Sequence, residues 1–171
     1  MKVILYMAPT VNGLIAKANN ETNFVSKTEW KAFNTMINKC GNIVIGRKTY
    51  DILAKENLLP PKKIKLFVLT RNLSFKSKEE NVRITSQSPK EIIKSLQKEG
   101  FKEILIAGGG KTNSGFLKEK LIDEIYLDIE PIIVENGVPL FAENNFEAKL
   151  KLIGTKKLSP DEIQLHYKVI K

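Results

Sequence analysis

An apolar run, Glu103-Ile104-Leu105-Ile106-Ala107, leads straight into Gly108-Gly109-Gly110, and a stretch able to form a helix, Lys111 to Lys120, follows at once. A strand that turns through glycines into a helix makes an anion site. The first amides of the helix lack intrahelical partners and point outward, and the helix dipole favours negative charge there. Glycines let a ligand come close to the backbone and permit conformations that other residues resist. The same pattern also serves as a plain tight connection, so the rest of the chain has to decide between the two.

Strand and helix signals alternate along the chain. Lys2 to Met7 reads as a first strand, and Ala8 to Phe24 as a polar loop interrupted by Leu14-Ile15-Ala16. Ser26 opens a helix with Glu29 three residues on, a capping box. Trp30, Phe33, Ile37 and Cys40 recur on one face of that helix, and Gly41 ends it. Ile43-Val44-Ile45 is a buried strand that runs into Gly46-Arg47-Lys48-Thr49-Tyr50, and Pro60-Pro61 breaks the chain. Leu66 to Thr70 and Val82 to Thr85 are further strands. Ser88 caps a helix with Pro89 at its first position, and Gly100 stops it. Glu124 to Glu130 is a strand ended by Pro131. Lys149 to Ile153 and Ile163 to Val169 alternate apolar and polar, as an antiparallel terminal pair would. The expected fold is α/β: one domain over residues 1–171, with a mixed, mostly parallel central sheet flanked by helices and antiparallel final strands.

Composition narrows the function classes. With 171 residues, 42% of them hydrophobic and 27% charged, the chain has the make-up of a folded globular domain. No apolar run approaches the length of a membrane helix, and the N-terminus lacks the pattern of a secretory signal, so the cytoplasm is expected. A single cysteine, Cys40, and a single histidine, His166, leave no basis for a disulfide or a metal centre, and none is expected. The net charge is +9; six basic residues and no acidic one lie between Lys62 and Lys78, and seven acidic residues and no basic one between Leu121 and Ala148. Basic stretches suit a phosphorylated ligand or a nucleic acid. No aromatic residues alternate with these lysines and no nucleic-acid-binding motif is present, so a nucleic-acid partner is not expected.

Ligands of parallel sheets bind outside the carboxyl ends of the strands. Three such ends converge here: Gly46 to Thr49, Thr70-Arg71, and Gly108 to Lys111. They bring arginines, lysines, hydroxyls and backbone amides, the chemistry for a dinucleotide with an extra phosphate. No acidic residue immediately follows either candidate strand end, which favours NADPH over NADH.

These segments occur together in a known order. Ile43 to Tyr50, Val68-Leu69-Thr70-Arg71, Ile106 to Gly110, Asp123 to Leu127, and Glu130-Pro131-Ile132-Ile133 with Asn136 to Phe141 resemble the dihydrofolate reductase superfamily, closest to the branch containing the reductase domain of riboflavin biosynthesis. The resemblance covers most of the chain. It implies a dihydrofolate reductase-like fold and NADPH-dependent reduction of a small heterocycle, either a pteridine such as dihydrofolate or a ribosylaminopyrimidine phosphate. It implies that Arg47 and Arg71 hold the 2′-phosphate, that Thr49 and the amides from Gly108 to Lys111 hold the pyrophosphate, and that Ala8 and Ile15 flank the nicotinamide. Gly46, Lys48, Thr70, Ala107, Gly109, Gly110 and Thr112 complete the implied cofactor set. A cis peptide between the first two glycines, a mobile loop between Ile15 and Phe24, and a homodimer also follow from it. The chain departs from folate reductases in lacking the Leu-Pro-Trp loop signature and in carrying Asn113 where an aromatic is usual. Many relatives have an aspartate at the position of Asn12, and the deaminase signature often fused to riboflavin-pathway reductases is absent.

Hydride addition needs an electron-poor carbon, and a buried carboxyl can hold the ring or assist protonation of a neighbouring nitrogen. Glu29 is the first candidate; the competing reading is that it completes the capping box with Ser26 and does nothing else. Asp128 is the second, with Glu130 on its face, against the reading of an exposed strand face. Trp30 and Phe33 could stack on a heterocycle or pack the core. Two other functions stay open at this point: a dinucleotide-binding module without catalysis, and a basic nucleic-acid-binding protein.

Overall fold

The computed structural model describes residues 1–143 and 145–171. In chain order the elements are β1 (Lys2–Met7), β2 (Leu14–Lys17), α1 (Lys27–Cys40), β3 (Asn42–Gly46), α2 (Arg47–Lys55), β4 (Lys65–Leu69), β5 (Val82–Thr85), α3 (Pro89–Lys98), β6 (Glu103–Ile106), α4 (Gly110–Lys118), β7 (Glu124–Ile129), β8 (Gly137–Pro139), β9 (Lys149–Lys157) and β10 (Ile163–Ile170). Eight strands form one sheet in the order β5-β4-β3-β6-β1-β7-β10-β9. The six from β5 to β7 are parallel, and β10 and β9 add antiparallel at one edge, as expected.

The inner strands read as unbroken apolar runs because both faces of the sheet are covered. Period-two alternation splits each run between two cores. Ile4, Tyr6, Ile43, Ile45, Leu66 and Val68 meet Phe33 and Ile37 of α1 on one face. Val3, Leu5, Val44, Phe67, Ile104 and Ile106 meet Ile92 and Leu96 of α3 and Phe116 of α4 on the other. Gly41, at φ 69°, closes α1 in the left-handed conformation, and its amide bonds the Ile37 carbonyl.

The strand order creates the crevice. Strands β3 and β6 are neighbours, but the chain leaves β3 towards β4 and leaves β6 past β1 towards β7. Where adjacent connections depart in opposite directions, the carboxyl edge of a parallel sheet opens.

Three local expectations change. The polar loop after β1 contains a true strand, β2, which pairs antiparallel with a second strand that the sequence does not announce, β8. These strands are short, and neither shows a periodicity that reveals its partner. The start of α1 carries only half of a capping box. Ser26 Oγ accepts from the Glu29 amide at 2.9 Å, but the Ser26 amide donates to Glu130 Oε1, also at 2.9 Å, and not to Glu29. Asp128 and Glu130 do not face solvent: each is about 2% exposed, because β10 and the start of α1 cover that face.

Candidate active site

Among the described residues, two of the four helices begin without a side-chain cap. The N-cap of α2 is Gly46 and that of α4 is Gly109; neither offers a side-chain acceptor, and neither first turn holds an acidic residue. By contrast, α1 and α3 are capped by Ser26 and Ser88, with Glu29 and Glu91 in their first turns. An absent serine-type cap costs a helix about 0.5–2 kcal/mol. The two uncapped starts are the ones that follow β3 and β6, at the crevice, where free amides and aligned dipoles attract an anion.

These two turns are locked together. The Gly46 amide donates to the Gly108 carbonyl at 2.8 Å. Gly108 lies at φ +90° and joins Gly109 through a cis peptide. A methyl group on Gly46 would stand 2.9 Å from Thr112 Oγ1. The glycines thus make a backbone-walled cradle that side chains would fill.

The cradle opens into a cavity of about 580 Å³. Of the residues singled out from the sequence, Ala8, Ile15, Glu29, Gly46, Arg47, Lys48, Thr49, Ala107, Gly109, Gly110, Lys111 and Thr112 all line it. Gly108 is buried just behind, with Thr49 Oγ1 3.9 Å from where its Cβ would be. Thr70, Arg71 and Asp128 are not in the lining. Thr70 Oγ1 accepts from the Asn72 amide, and Arg71 is exposed one strand away from β3 on the same edge. Arg47 has a carboxylate partner: its Nε donates to both oxygens of Asp51 at 2.8 and 2.7 Å, and its guanidinium lies 4.1 Å over the Phe75 ring. No acidic residue directly follows the strand, yet one helical turn brings this carboxylate back, a spacing visible in the sequence. The Nε pair leaves the terminal guanidinium nitrogens free to meet an anion.

Glu29 lines the cavity at about 4% exposure, and its carboxyl oxygens have no hydrogen-bond partner among the described residues. Glu130 has taken the capping role that would have occupied it. Burial, then the nearby Asp128, Glu130 and Glu162 carboxyls, push its pKa up to about 9, so Glu29 is a neutral acid at pH 7. Asp128 sits one layer back. Its Oδ2 accepts from the Tyr6 hydroxyl at 2.5 Å and its Oδ1 from Gln164 Nε2 at 2.8 Å. Burial raises its pKa, and these two hydrogen bonds oppose the rise. Tyr6 itself lines the cavity, tilts against Phe33 and stacks on Tyr126. Nothing in the sequence singles out Tyr6, because its strand reads as plain core; only the pairing of β7 with β10 brings Asp128 and Gln164 to its hydroxyl.

Trp30 and Phe33 serve both readings: they line the cavity and pack the core beneath it. The loop after β2 adds Asn20, Thr22 and Val25, and Gly137, Val138, Pro139 and Ala142 supply a further wall. Cys40 is a buried core residue, and His166 bonds Glu124 at 3.0 Å and stacks on Tyr126. Among the described residues no cluster suited to a metal ion occurs, and no helix is long and apolar enough to cross a membrane.

The chain as a whole is similar to known proteins. The family model for the RibD C-terminal domain matches residues 1–163. The chain belongs to that family. Among curated proteins it is 28% identical over 169 residues to the uncharacterized protein YwjB of Bacillus subtilis (strain 168), covering 97% of each chain. The crystal structure of a "Putative riboflavin biosynthesis protein" from Shewanella sp. PV-4 superimposes with a TM-score of 0.87 at 26% identity, covering 100% of both chains. Dihydrofolate reductase from Enterococcus faecalis, solved with NADP(H) and RAB-propyl, superimposes with a TM-score of 0.74 at 16% identity, covering 99% of this chain and 97% of that one. The fold is therefore dihydrofolate reductase-like.

Proposed function

We propose that this member of the RibD C-terminal family is an NADPH-dependent reductase that delivers a hydride to a flat heterocycle, a pteridine or a ribosylaminopyrimidine. One observation carries the reading: two uncapped helix starts and a buried neutral carboxyl open onto the same cavity. A binding module needs only the helix starts. A buried acid kept neutral is useful where a proton must be held against a ring.

NADPH fits the residues present. The amides that begin α2 and α4, with Thr49 and Thr112, suit the pyrophosphate, and the glycine cradle leaves room for close approach. The free face of the Arg47 guanidinium suits the 2′-phosphate, with Lys48, Lys111 and, one strand away, Thr70 and Arg71 around it. Ala8, Ile15 and Ala107 form the walls for the nicotinamide. Bound there, the cofactor supplies the hydride. Glu29 holds a proton against the substrate ring, donating a hydrogen bond to a ring nitrogen. Asp128 works through Tyr6, whose hydroxyl it fixes. The Glu130 carboxylate keeps Glu29 free by capping α1 in its place.

Thermal shift with NADPH and NADH tests the cofactor assignment, because a ligand that binds only the native state raises its stability. A shift with NADPH followed by substrate-dependent NADPH oxidation is expected. A shift without turnover on any heterocycle favours the binding-module reading, and no shift with either cofactor removes the assignment. Arg47→Ala is expected to weaken NADPH roughly 10–100-fold and NADH by less than about threefold, since a charge-assisted contact to the 2′-phosphate is lost in one case only. Arg71→Ala should act in the same direction with a smaller effect, given its place outside the cavity. Equal losses for both cofactors would contradict the 2′-phosphate assignment.

The reading includes a cytoplasmic homodimer. Leu150 and Leu152 of β9 and Ile163 of β10 share one face at the sheet edge and are 42–50% exposed. Lys149, Lys151, Lys156 and Lys157 on the same strand disfavour edge-to-edge pairing, so a second copy would pack on the apolar face. Light scattering should give twice the mass of 19.3 kDa, and Leu152→Glu should return the monomer.

A further inference from the structure

From the charges around the cavity we infer that the substrate enters as a phosphate-free planar heterocycle, uncharged or cationic, and that a phosphorylated ribosylaminopyrimidine is excluded. The inference rests on the reductase reading above and decides between the two substrate classes it leaves open.

The positive side chains in the lining are Arg47, Lys48 and Lys111, and all three stand at the uncapped starts of α2 and α4. Two phosphate-bearing parts of the cofactor would occupy that ground. The remaining lining comes from β1, β2, the loop after it and the first half of α1, together with apolar residues of β3, α2, β4 and the wall from 137 to 142. There the polar groups are Tyr6, Asn20, Thr22 and Glu29, and the rest is apolar, with Trp30 and Phe33 among it. No lysine or arginine is present in this part among the described residues.

The surroundings deepen the contrast. Asp128, Glu130 and Glu162 are each at most 8% exposed and lie close enough to Glu29 to repel its charge. Glu162 Oε2 is buried with no hydrogen-bond partner among the described residues. Lys156 on the exposed β9 is the cation that acts on Asp128. A phosphate dianion brought into this part would meet no donor of opposite charge and a set of buried carboxyls, a penalty poorly screened away from bulk water. A ring with amino and imino groups meets the reverse: an apolar slot, aromatic faces and oxygen acceptors, and its charge becomes more positive as it is protonated. Burial also holds the Glu29 carboxyl neutral, so it can present an O–H to such a ring.

The single tryptophan makes the test direct, because Trp30 lines the cavity and its fluorescence reports occupation. The protein is first titrated with NADPH by thermal shift. Then, with NADPH present, it is titrated with 2,4-diaminopteridine, with 5-amino-6-(5-phosphoribosylamino)uracil, and with that same compound after enzymatic removal of the phosphate. Both phosphate-free compounds should perturb Trp30, at concentrations about tenfold or more below any response to the phosphorylated one. The inference is overturned if the phosphorylated compound binds as tightly as its phosphate-free form or more tightly. It is equally overturned if neither phosphate-free compound perturbs Trp30 or shifts the melting temperature. NADPH binding separates the two levels: its presence with a preference for phosphate sinks this inference alone, and its absence sinks the reductase reading and this inference with it.

Discussion

Glu29→Gln is expected to lower substrate-dependent NADPH oxidation by about 100-fold or more, the usual contribution of a positioned acid, while NADPH affinity stays within about twofold. The side chain has the size and position of the amide that replaces it, so the cavity keeps its shape, and the proton is what disappears. Wild-type turnover should hold across neutral pH and fall as the pH passes about 9, where the Glu29 carboxyl gives up its proton. The same shift has a stability consequence. Folded Glu29 keeps its proton up to about pH 9, and the unfolded carboxyl only to its ordinary value of 4.5. Between those values the folded state binds more protons, so stability falls as the pH rises through that window. The variant lacks this loss. At pH 8 it should melt measurably above the wild type, and the gap should shrink towards pH 5. A variant with unchanged turnover would reduce Glu29 to a structural residue.

Gly110→Ala is expected to destabilise the fold by about 2–4 kcal/mol and to weaken NADPH binding with it. The added methyl would stand 2.5 Å from the Pro139 carbonyl oxygen and 3.2 Å from the Ala142 amide, both backbone atoms. That backbone cannot step aside. The Ala142 amide donates to the Gly110 carbonyl at 3.2 Å, Asn113 Nδ2 to the Leu140 carbonyl at 2.8 Å, and Ser114 Oγ to the Ala142 carbonyl at 2.8 Å. Further along, Gly137 presses on Ala16, where a methyl would overlap the carbonyl oxygen. Pushing on Gly110 therefore disturbs the start of α4, the wall from residue 137 to 142 and the β2–β8 pair together. Gly115→Ala is the control. It lies in the same helix, and its methyl would reach only ordinary contact, 4.0 Å from Pro89. It should stabilise by about 0.5–1 kcal/mol through the lower entropy of the unfolded chain. Melting temperatures of the two variants should move in opposite directions. Equal behaviour would mean that the helix start is not gripped from above.

Asn113 shows how a departure from the family pattern becomes intelligible. In the sequence it is only a missing aromatic. In the structure it is fully buried, and its side-chain amide ties α4 to Leu140.

Much of the fold is legible from residues alone. The parallel strands are runs of adjacent apolar side chains, because both sheet faces are covered. Ser26, Gly41, Ser88 and Gly100 mark helix ends through local backbone chemistry that needs no partner. The cradle is legible for the same reason: glycine followed by a helix start is a property of neighbouring residues. Arg47, Thr49 and the triplet glycines therefore stand out from the order of residues along the chain, and the cavity gathers all but the buried Gly108.

Long-range pairing decides the rest. Which carboxylate caps α1 depends on Glu130, distant from Ser26 in sequence by 104 residues, and only that contact shows that Glu29 is free. Tyr6 acquires its role from Asp128 and Gln164, which β7 and β10 bring across the sheet. Arg71 follows a strand end as Arg47 does, yet only one of them faces the cavity, since β4 lies one strand further from the point where the connections diverge. Capping, glycine conformation and apolar runs act between neighbours and are written in order along the chain. Proton affinity and pocket charge depend on distances between residues far apart in sequence, and only the tertiary structure sets those distances.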